Sequence, residues 1–320
     1  MNGSANVRGA LLALLAMGLY ATHDAIIKYL GGIYPSFQIL FFASLLSFPL
    51  VSVVLMRDRN PGSLRPANPG WIAARTIFAV LGGICGFYAF SVLPLAQVYA
   101  ILFSAPLIVT ILSIPILGER VGIHRWAAVL IGLTGVLVVL RPGSQPLDFG
   151  HIAAVVAALG GASTALIIRR LGGTERPLVL IMWPMLGNFV ATGAALSIQY
   201  RPMELSHLAL SSLIALLGLI AGFLLILAYR AGEAAIVAPM QYSQILWATG
   251  YGILFFDESL DGVTLLGASI IIGSGIYIVW REGRGGNSAN RPVTSARLRA
   301  ETVTTPKTTV LQRLWPPRGG

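Results

Sequence analysis

The sequence predicts an all-α polytopic membrane protein with ten transmembrane helices arranged as two inverted five-helix repeats. Three observations carry this. Of 320 residues, 56% are hydrophobic and 11% charged, whereas a soluble domain carries about 25% charged residues. Too few polar side chains remain to cover a water-soluble body, which excludes an ordinary cytosolic enzyme, a disordered chain and a coiled coil. Apolar segments of membrane length follow one another with no soluble domain between them. The two halves of the chain also read alike.

In chain order the predicted spans are 9–30, 35–56, 71–92, 94–116, 124–140, 150–170, 178–200, 207–229, 234–256 and 262–280. Each is near the ~20 residues that a ~30 Å hydrocarbon layer requires at 1.5 Å rise. Lipid offers no backbone partners, so these segments satisfy their polar groups as helices. No ten-residue alternation of the kind a membrane strand needs is present. The first span begins after Arg8 and resembles a leader as far as Leu19, but the apolar run continues through Ile26 and Ile27 and reads as a span. The fifth is the shortest. The fourth and ninth carry Pro106 and Pro239, which remove backbone donors and are expected to kink them.

Lys and Arg set the orientation. With the N-terminus inside, the inner side holds Arg8, Arg57, Arg59, Arg65, Arg120, Arg125, Arg169, Arg170, Arg176 and Arg230. The outer side holds Lys28, Arg141 and Arg201, together with the acidic loop Asp257-Glu258-Ser259-Leu260-Asp261. Both termini then lie in the cytoplasm of a cell whose inner membrane the chain crosses. Residues 283–320, rich in Gly, Ser, Thr, Pro and Arg, are expected to be a disordered basic tail. Contact with anionic lipid is the sharper reading of that charge. No nucleic-acid module accompanies it. Cys85 stands alone, which excludes an intrachain disulfide and a Cys-based metal site.

The repeat aligns residues 8–143 with 150–282. Ser104 matches Ser243, Glu119 matches Glu258, Gly135 matches Gly275 and Arg141 matches Arg281. Tyr20-Ala-Thr-His-Asp-Ala-Ile-Ile-Lys28 echoes Gly161-Ala-Ser-Thr-Ala-Leu-Ile-Ile-Arg169. Five spans per half is an odd number, so the second half enters the membrane reversed. That is an architecture of secondary transporters, with the solute near the midplane between the halves. No HExxH, GxSxG or P-loop sequence is present, and the four histidines are scattered. Neither an enzyme nor direct ATP drive is therefore expected, and no cofactor, metal or catalytic residue is assigned. Flux saturation would separate a carrier from a channel.

Leu93-Pro-Leu-Ala-Gln97, Ser104-Ala-Pro106, Leu117-Gly-Glu-Arg120, Arg125-Trp126, Gly132-Leu-Thr-Gly135 and Leu140-Arg-Pro-Gly143 resemble the EamA family of the drug/metabolite transporter superfamily. The resemblance spans residues 8–282 as two units. The family exports amino acids and drugs and imports vitamins and other metabolites. Ala21-Thr-His-Asp24 with Lys28, Phe37-Gln38-Ile39, Phe41-Phe42, Leu55-Met-Arg-Asp58 and Gly62-Ser-Leu-Arg-Pro66 further resemble its bacterial riboflavin transporters. The resemblance thus implies riboflavin uptake by alternating access, against export of amino acids or drug-like metabolites. The second half departs from the pattern where Asp257-Glu258 replaces Gly118-Glu119 and no Arg follows.

Ionisable groups inside a span cost about 2.5–3.5 kcal/mol each on insertion scales. Asp24 and Lys28 stand one turn apart, where opposite charges meet. They either neutralise each other near the outer interface, or gate the outer vestibule or contact solute, and Asp24 with His23 is a candidate for proton coupling. Arg75 is either an interface anchor or a cavity cation for an anionic or carbonyl-rich solute. Glu119 and Arg120 read as loop fasteners. The fourth and ninth spans occupy equivalent places and bring Gln97, Tyr99, Phe103, Ser104 and Thr110, then Gln241, Tyr242, Gln244, Trp247 and Tyr251. The seventh adds Trp183 and Asn188. Amides among aromatics suit a cavity for a flat heteroaromatic such as a flavin. A second copy of the chain as partner is left open. Gly132/Gly135 and Gly267/Gly273 can pack helices within one chain or between two.

Overall fold

A computed structural model describes residues 2–56, 64–118, 122–141, 148–171, 174–232, 234–259 and 261–284. Arg57, Asp58, Arg59, Glu119, Arg120 and the tail beyond Arg284 lie outside the described residues.

Twelve helices follow in order: α1 (Asn2–Gly31), α2 (Ser36–Met56), α3 (Pro69–Val92), α4 (Leu95–Leu102), α5 (Ala105–Leu117), α6 (Ile123–Leu140), α7 (Phe149–Leu171), α8 (Pro177–Leu196), α9 (Leu205–Ala231), α10 (Ala234–Val237), α11 (Gln244–Phe256) and α12 (Gly262–Arg284). No strand occurs among the described residues. Six stretches are long and apolar enough to cross a membrane: Asn6–Gly31, Pro69–Val92, Leu95–Leu117, Phe149–Leu171, Leu178–Leu196 and Leu205–Ala231. Ser36–Pro49, Trp126–Leu140 and Gly262–Ile278 are shorter apolar helices. The fourth span is α4 and α5 with a break at Phe103–Ser104, and the ninth is α10 and α11 joined by a 3-10 turn, Ala238–Ser243. Ten crossings result, five to each half.

The breaks come where the prolines predict them. Pro106 sits in the first turn of α5 and Pro239 in the first turn of the 3-10 segment, positions where a missing N–H leaves no orphan acceptor. Both pieces end alike. Gly118 closes α5 in the left-handed region (φ 71°), and Asp257 closes α11 in the same region (φ 52°).

Packing follows the inverted repeat. α3 lies on α7, and its counterpart α9 lies on α1. The equivalent pairs α6 with α12 and α2 with α8 meet across the junction of the halves. Glycines permit two of these approaches: a side chain at Gly160 would meet Phe78 O at 2.7 Å and Gly82 Cα at 2.9 Å, and one at Gly135 would meet Gly267 O at 2.8 Å. Small residues let backbones close to van der Waals distance where lipid supplies no hydrophobic drive. The main core cluster unites both halves, running from Ile27, Leu30 and Ile39 through Phe90, Leu95 and Tyr99 to Tyr242, Ile245 and Ile271.

The symmetry is broken in one respect. α1 packs on α3 toward the end of the molecule that carries Lys28, where Gly31 touches Ser91. The equivalent pair, α7 and α9, makes no comparable contact at the opposite, Arg75 end. Of these two equivalent pairs, only the one at the Lys28 end packs closely.

Candidate functional site

At the centre the two broken spans meet. The rings of Phe90, Tyr99, Phe103 and Tyr242 form a continuous series with centroid separations of 5.4, 6.1 and 5.1 Å. Its last step passes from α4's end to the 3-10 turn of the other half, so the ladder bridges the repeats. Gly275 of α12 makes room for it, since a side chain there would lie 2.2 Å from Tyr242 Oη. Ser104, buried at the break, donates back to Ile101 O (2.6 Å) and ties the kink locally. Gln241 and Gln244 flank Tyr242, and Gln244 Nε2 is buried without a partner among the described residues.

Asp24 anchors this ladder from α1. It is 1% exposed, receives the Tyr99 hydroxyl proton at Oδ2, and shares a 2.7 Å hydrogen bond between Oδ1 and His23 Nδ1. His23 in turn stands edge-on to Phe87, 6.2 Å away. A carboxylate this deep persists because its acceptors are filled.

Lys28 does not turn to Asp24. It pairs with Glu258 (2.8 Å) and donates to Leu93 O (2.6 Å). Glu258 Oε2 also accepts the Leu95 N–H (3.0 Å) at the start of α4, where the helix dipole favours an anion. One glutamate from the second half thereby clasps both α1 and α4 of the first. Nearby, Arg141 pairs with Asp261. A cavity of about 380 Å³ opens beside this clasp, lined by Gln97, Arg141, Thr249, Glu258, Asp261 and Thr264 among others. Gln97 Nε2 meets His151 Nε2 at 2.9 Å across the halves.

Two further ties fasten the ends and are related by the repeat. At the Lys28 end Gln38 Nε2 donates to Arg201 O (2.6 Å) and the Arg201 N–H returns to Gln38 Oε1 (3.0 Å). At the Arg75 end Glu175 accepts the Ala67 N–H (3.2 Å) and the Asn68 side-chain amide (3.2 Å).

Arg75, Trp183 and Asn188 lie along a second junction, where α3, α7 and α8 adjoin. Trp183 packs on the cluster of Ile72, Ile167, Leu171, Val179 and Leu180 and donates from Nε1 to Leu64 O (3.2 Å). Trp247 is not at the centre: it is 45% exposed, with its ring against Gly18 of α1. Glu258 and His151 are the residues sequence reasoning did not single out. The repeat pairing of Glu119 with Glu258 was the available signal for the first; none existed for the second. Among the described residues no group of three metal-ligating side chains forms.

Comparison with known proteins agrees with this architecture. The model of the EamA-like transporter family matches residues 7–141 and again 148–280. A riboflavin transporter of Rhizobium johnstonii is 29% identical over 281 residues, 87% of this chain and 93% of its own. An S-adenosylmethionine uptake transporter of Rickettsia bellii is 26% identical over 84% of this chain and 92% of its own. A pseudopaline exporter of Pseudomonas aeruginosa is 26% identical over 82% and 93%. A solved crystal structure shares the fold with a TM-score of 0.58 at 19% identity, over 89% of this chain and all of its own. Two family units in tandem, ten crossings and relatives that move small molecules in both directions place the chain in the EamA-like transporter family, among the drug/metabolite transporters, and make it a membrane transporter and not an enzyme.

Proposed function

We propose that the protein is a secondary carrier for a flat, polar heteroaromatic metabolite, with riboflavin uptake across a bacterial inner membrane as the leading case. The aromatic ladder from Phe90 to Tyr242 carries this reading. It lies buried where both broken helices meet and has Gln241, Gln244 and the Asp24–Tyr99 pair beside it. Ring faces plus a few polar groups are what a planar heterocycle needs. The relative from Rhizobium johnstonii, named a riboflavin transporter, supports the same solute. The excess of Arg at the Arg75 end supports placing that end and both termini in the cytoplasm.

Transport then proceeds by alternating access. In this reading the fastening of the Lys28 end by Glu258 and by the α1–α3 contact is what opens and closes. Opening there with closure of α7 on α9 would present the same centre to the other side.

Growth of a riboflavin auxotroph at low vitamin should be rescued by this chain. Vesicles holding the folded protein should take up flavin with saturable kinetics. Absence of flavin uptake by such vesicles refutes the substrate. The pseudopaline exporter among the relatives favours a second reading, export of an amino-acid-derived or drug-like metabolite. That reading predicts efflux with no change in vitamin uptake.

A further inference from the structure

Arg75 is a buried cation. It is 7% exposed and stands in the second turn of α3. Nη1 donates to Leu180 O of α8. Nε is buried with no hydrogen-bond partner among the described residues, and no described carboxylate pairs with it. Burial of a guanidinium is costly unless its fork of donors is filled, and here Nη1 has a carbonyl while Nε has none.

The orphaned groups are not confined to Arg75. Thr164 Oγ1 on α7, Thr76 Oγ1 on α3 and Asn188 Oδ1 on α8 are likewise buried without partners. Contacts order them along one junction. Gly160 meets Phe78 and Gly82, and running the antiparallel pair one turn further sets Thr164 level with Arg75. Asn188 Oδ1 faces α3 at Gly83, 3.4 Å from where a Cβ would stand, and Gly187 lies against Thr76. Arg75 and Gly83 are eight residues apart, about 12 Å along α3. Trp183 supplies a ring face to the same three-helix junction. Four unpartnered buried polar atoms on three adjoining helices are far from the ordinary native pattern, in which such groups are paired.

We propose that Arg75, with Thr164 level with it and Asn188 about 12 Å further along the same junction, binds the acceptor-rich edge of the transported solute, an imide carbonyl or a carboxylate. This rests on the carrier reading above and narrows its solute to a planar molecule with such an edge. The forked guanidinium donates to both oxygens of a carboxylate, or to a single ring carbonyl, in one plane, a geometry Lys does not reproduce. The junction lies toward the end of the molecule where α7 and α9 pack less closely than α1 and α3 do at the other, and solute reaches the site from that side.

The test uses purified full-length protein, with riboflavin, uracil and benzoate as probes. Thermal shift and equilibrium dialysis are read on wild type, Arg75→Gln, Arg75→Lys, Thr164→Val and Asn188→Leu. We expect Arg75→Gln to lose tenfold or more in affinity for the probe that binds. Arg75→Lys should recover part of the loss, and Thr164→Val and Asn188→Leu should lose several-fold, with unliganded melting close to wild type. A purely structural tether from Arg75 to Leu180 would lower melting and leave probe affinity unchanged. If riboflavin fails while uracil or benzoate binds through Arg75, the flavin reading falls and the site stands. If riboflavin binds Arg75→Gln as well as wild type, the site is refuted and the flavin reading stands. If no probe stabilises the wild-type protein, the site is refuted. Should Arg75→Gln not fold, the Thr164 and Asn188 variants decide, and wild-type affinity in both refutes the site.

Discussion

At the residue scale, charge pairing in this chain is settled across the repeat and not along the helix. Asp24 and Lys28 share a helix face, yet Asp24 is filled by His23 and Tyr99 while Lys28 goes to Glu258 and Leu93 O. Glu258 wins because it brings two interactions at once, an ion pair and a helix N-terminal N–H. Both partners are about seven-eighths buried, with side-chain exposures of 13% and 14%, so removing either leaves an uncompensated charge. Lys28→Met and Glu258→Gln should therefore each reduce transport several-fold. Combined, they should do less harm than the sum, with a coupling of roughly 0.5–3 kcal/mol in a double-mutant cycle. An additive result would show that the two side chains act independently. Tyr99→Phe removes one donor to a buried carboxylate and should cost about 1–3 kcal/mol of stability in detergent. It leaves the ring ladder in place, so solute affinity should change less than stability does.

At the element scale, the two interrupted spans and the glycine-lined crossings do most to position the site. Gly135 and Gly273 make a controlled comparison. A side chain at Gly135 would press within 2.8 Å of Gly267 O and of Ile271, whereas nothing lies within 4 Å of one at Gly273. Gly135→Val should lower stability by about 1–3 kcal/mol through overpacking, and Gly273→Ala should be neutral or stabilise by up to about 1 kcal/mol. Equal melting of the two variants would mean that α6 and α12 do not depend on close approach. Helices were the legible part of this molecule. Hydropathy marks each span, and Pro106 and Pro239 mark both breaks, because these are local properties of the chain. Glu119 and Glu258 align in the repeat, and the left-handed caps at Gly118 and Asp257 occupy equivalent positions. What stayed illegible was tertiary. Nothing near Lys28 announces a partner 230 positions away. Arg75 stands four residues past Trp71, as an interface anchor would, and only the packing of α7 and α8 around it shows that it is enclosed.

At the scale of the whole molecule, the relevant fact is a broken symmetry. Two inverted halves of unlike sequence need not close both ends equally, and here α1 meets α3 while α7 and α9 pack less closely. If these are two exclusive arrangements of one carrier, anything that loosens one end must tighten the other, because the same two-state equilibrium is being shifted. Cysteines at Ser91 and Ala231, in a Cys85→Ala background, report the two ends at equivalent positions of the repeat. Ser91→Cys lies against Gly31 and should label slowly, with Ala231→Cys labelling faster. Adding Glu258→Gln removes the ion pair that holds the Lys28 end. Labelling at 91 should then rise and labelling at 231 should fall, each tenfold change corresponding to about 1.4 kcal/mol in the equilibrium. Solute that favours the structure described here should reverse both shifts together. Two labelling rates that rise in parallel would instead describe a general loosening of the bundle. The clasp would then be a structural fastening with no part in transport, and the asymmetry of the helix contacts would carry no mechanism.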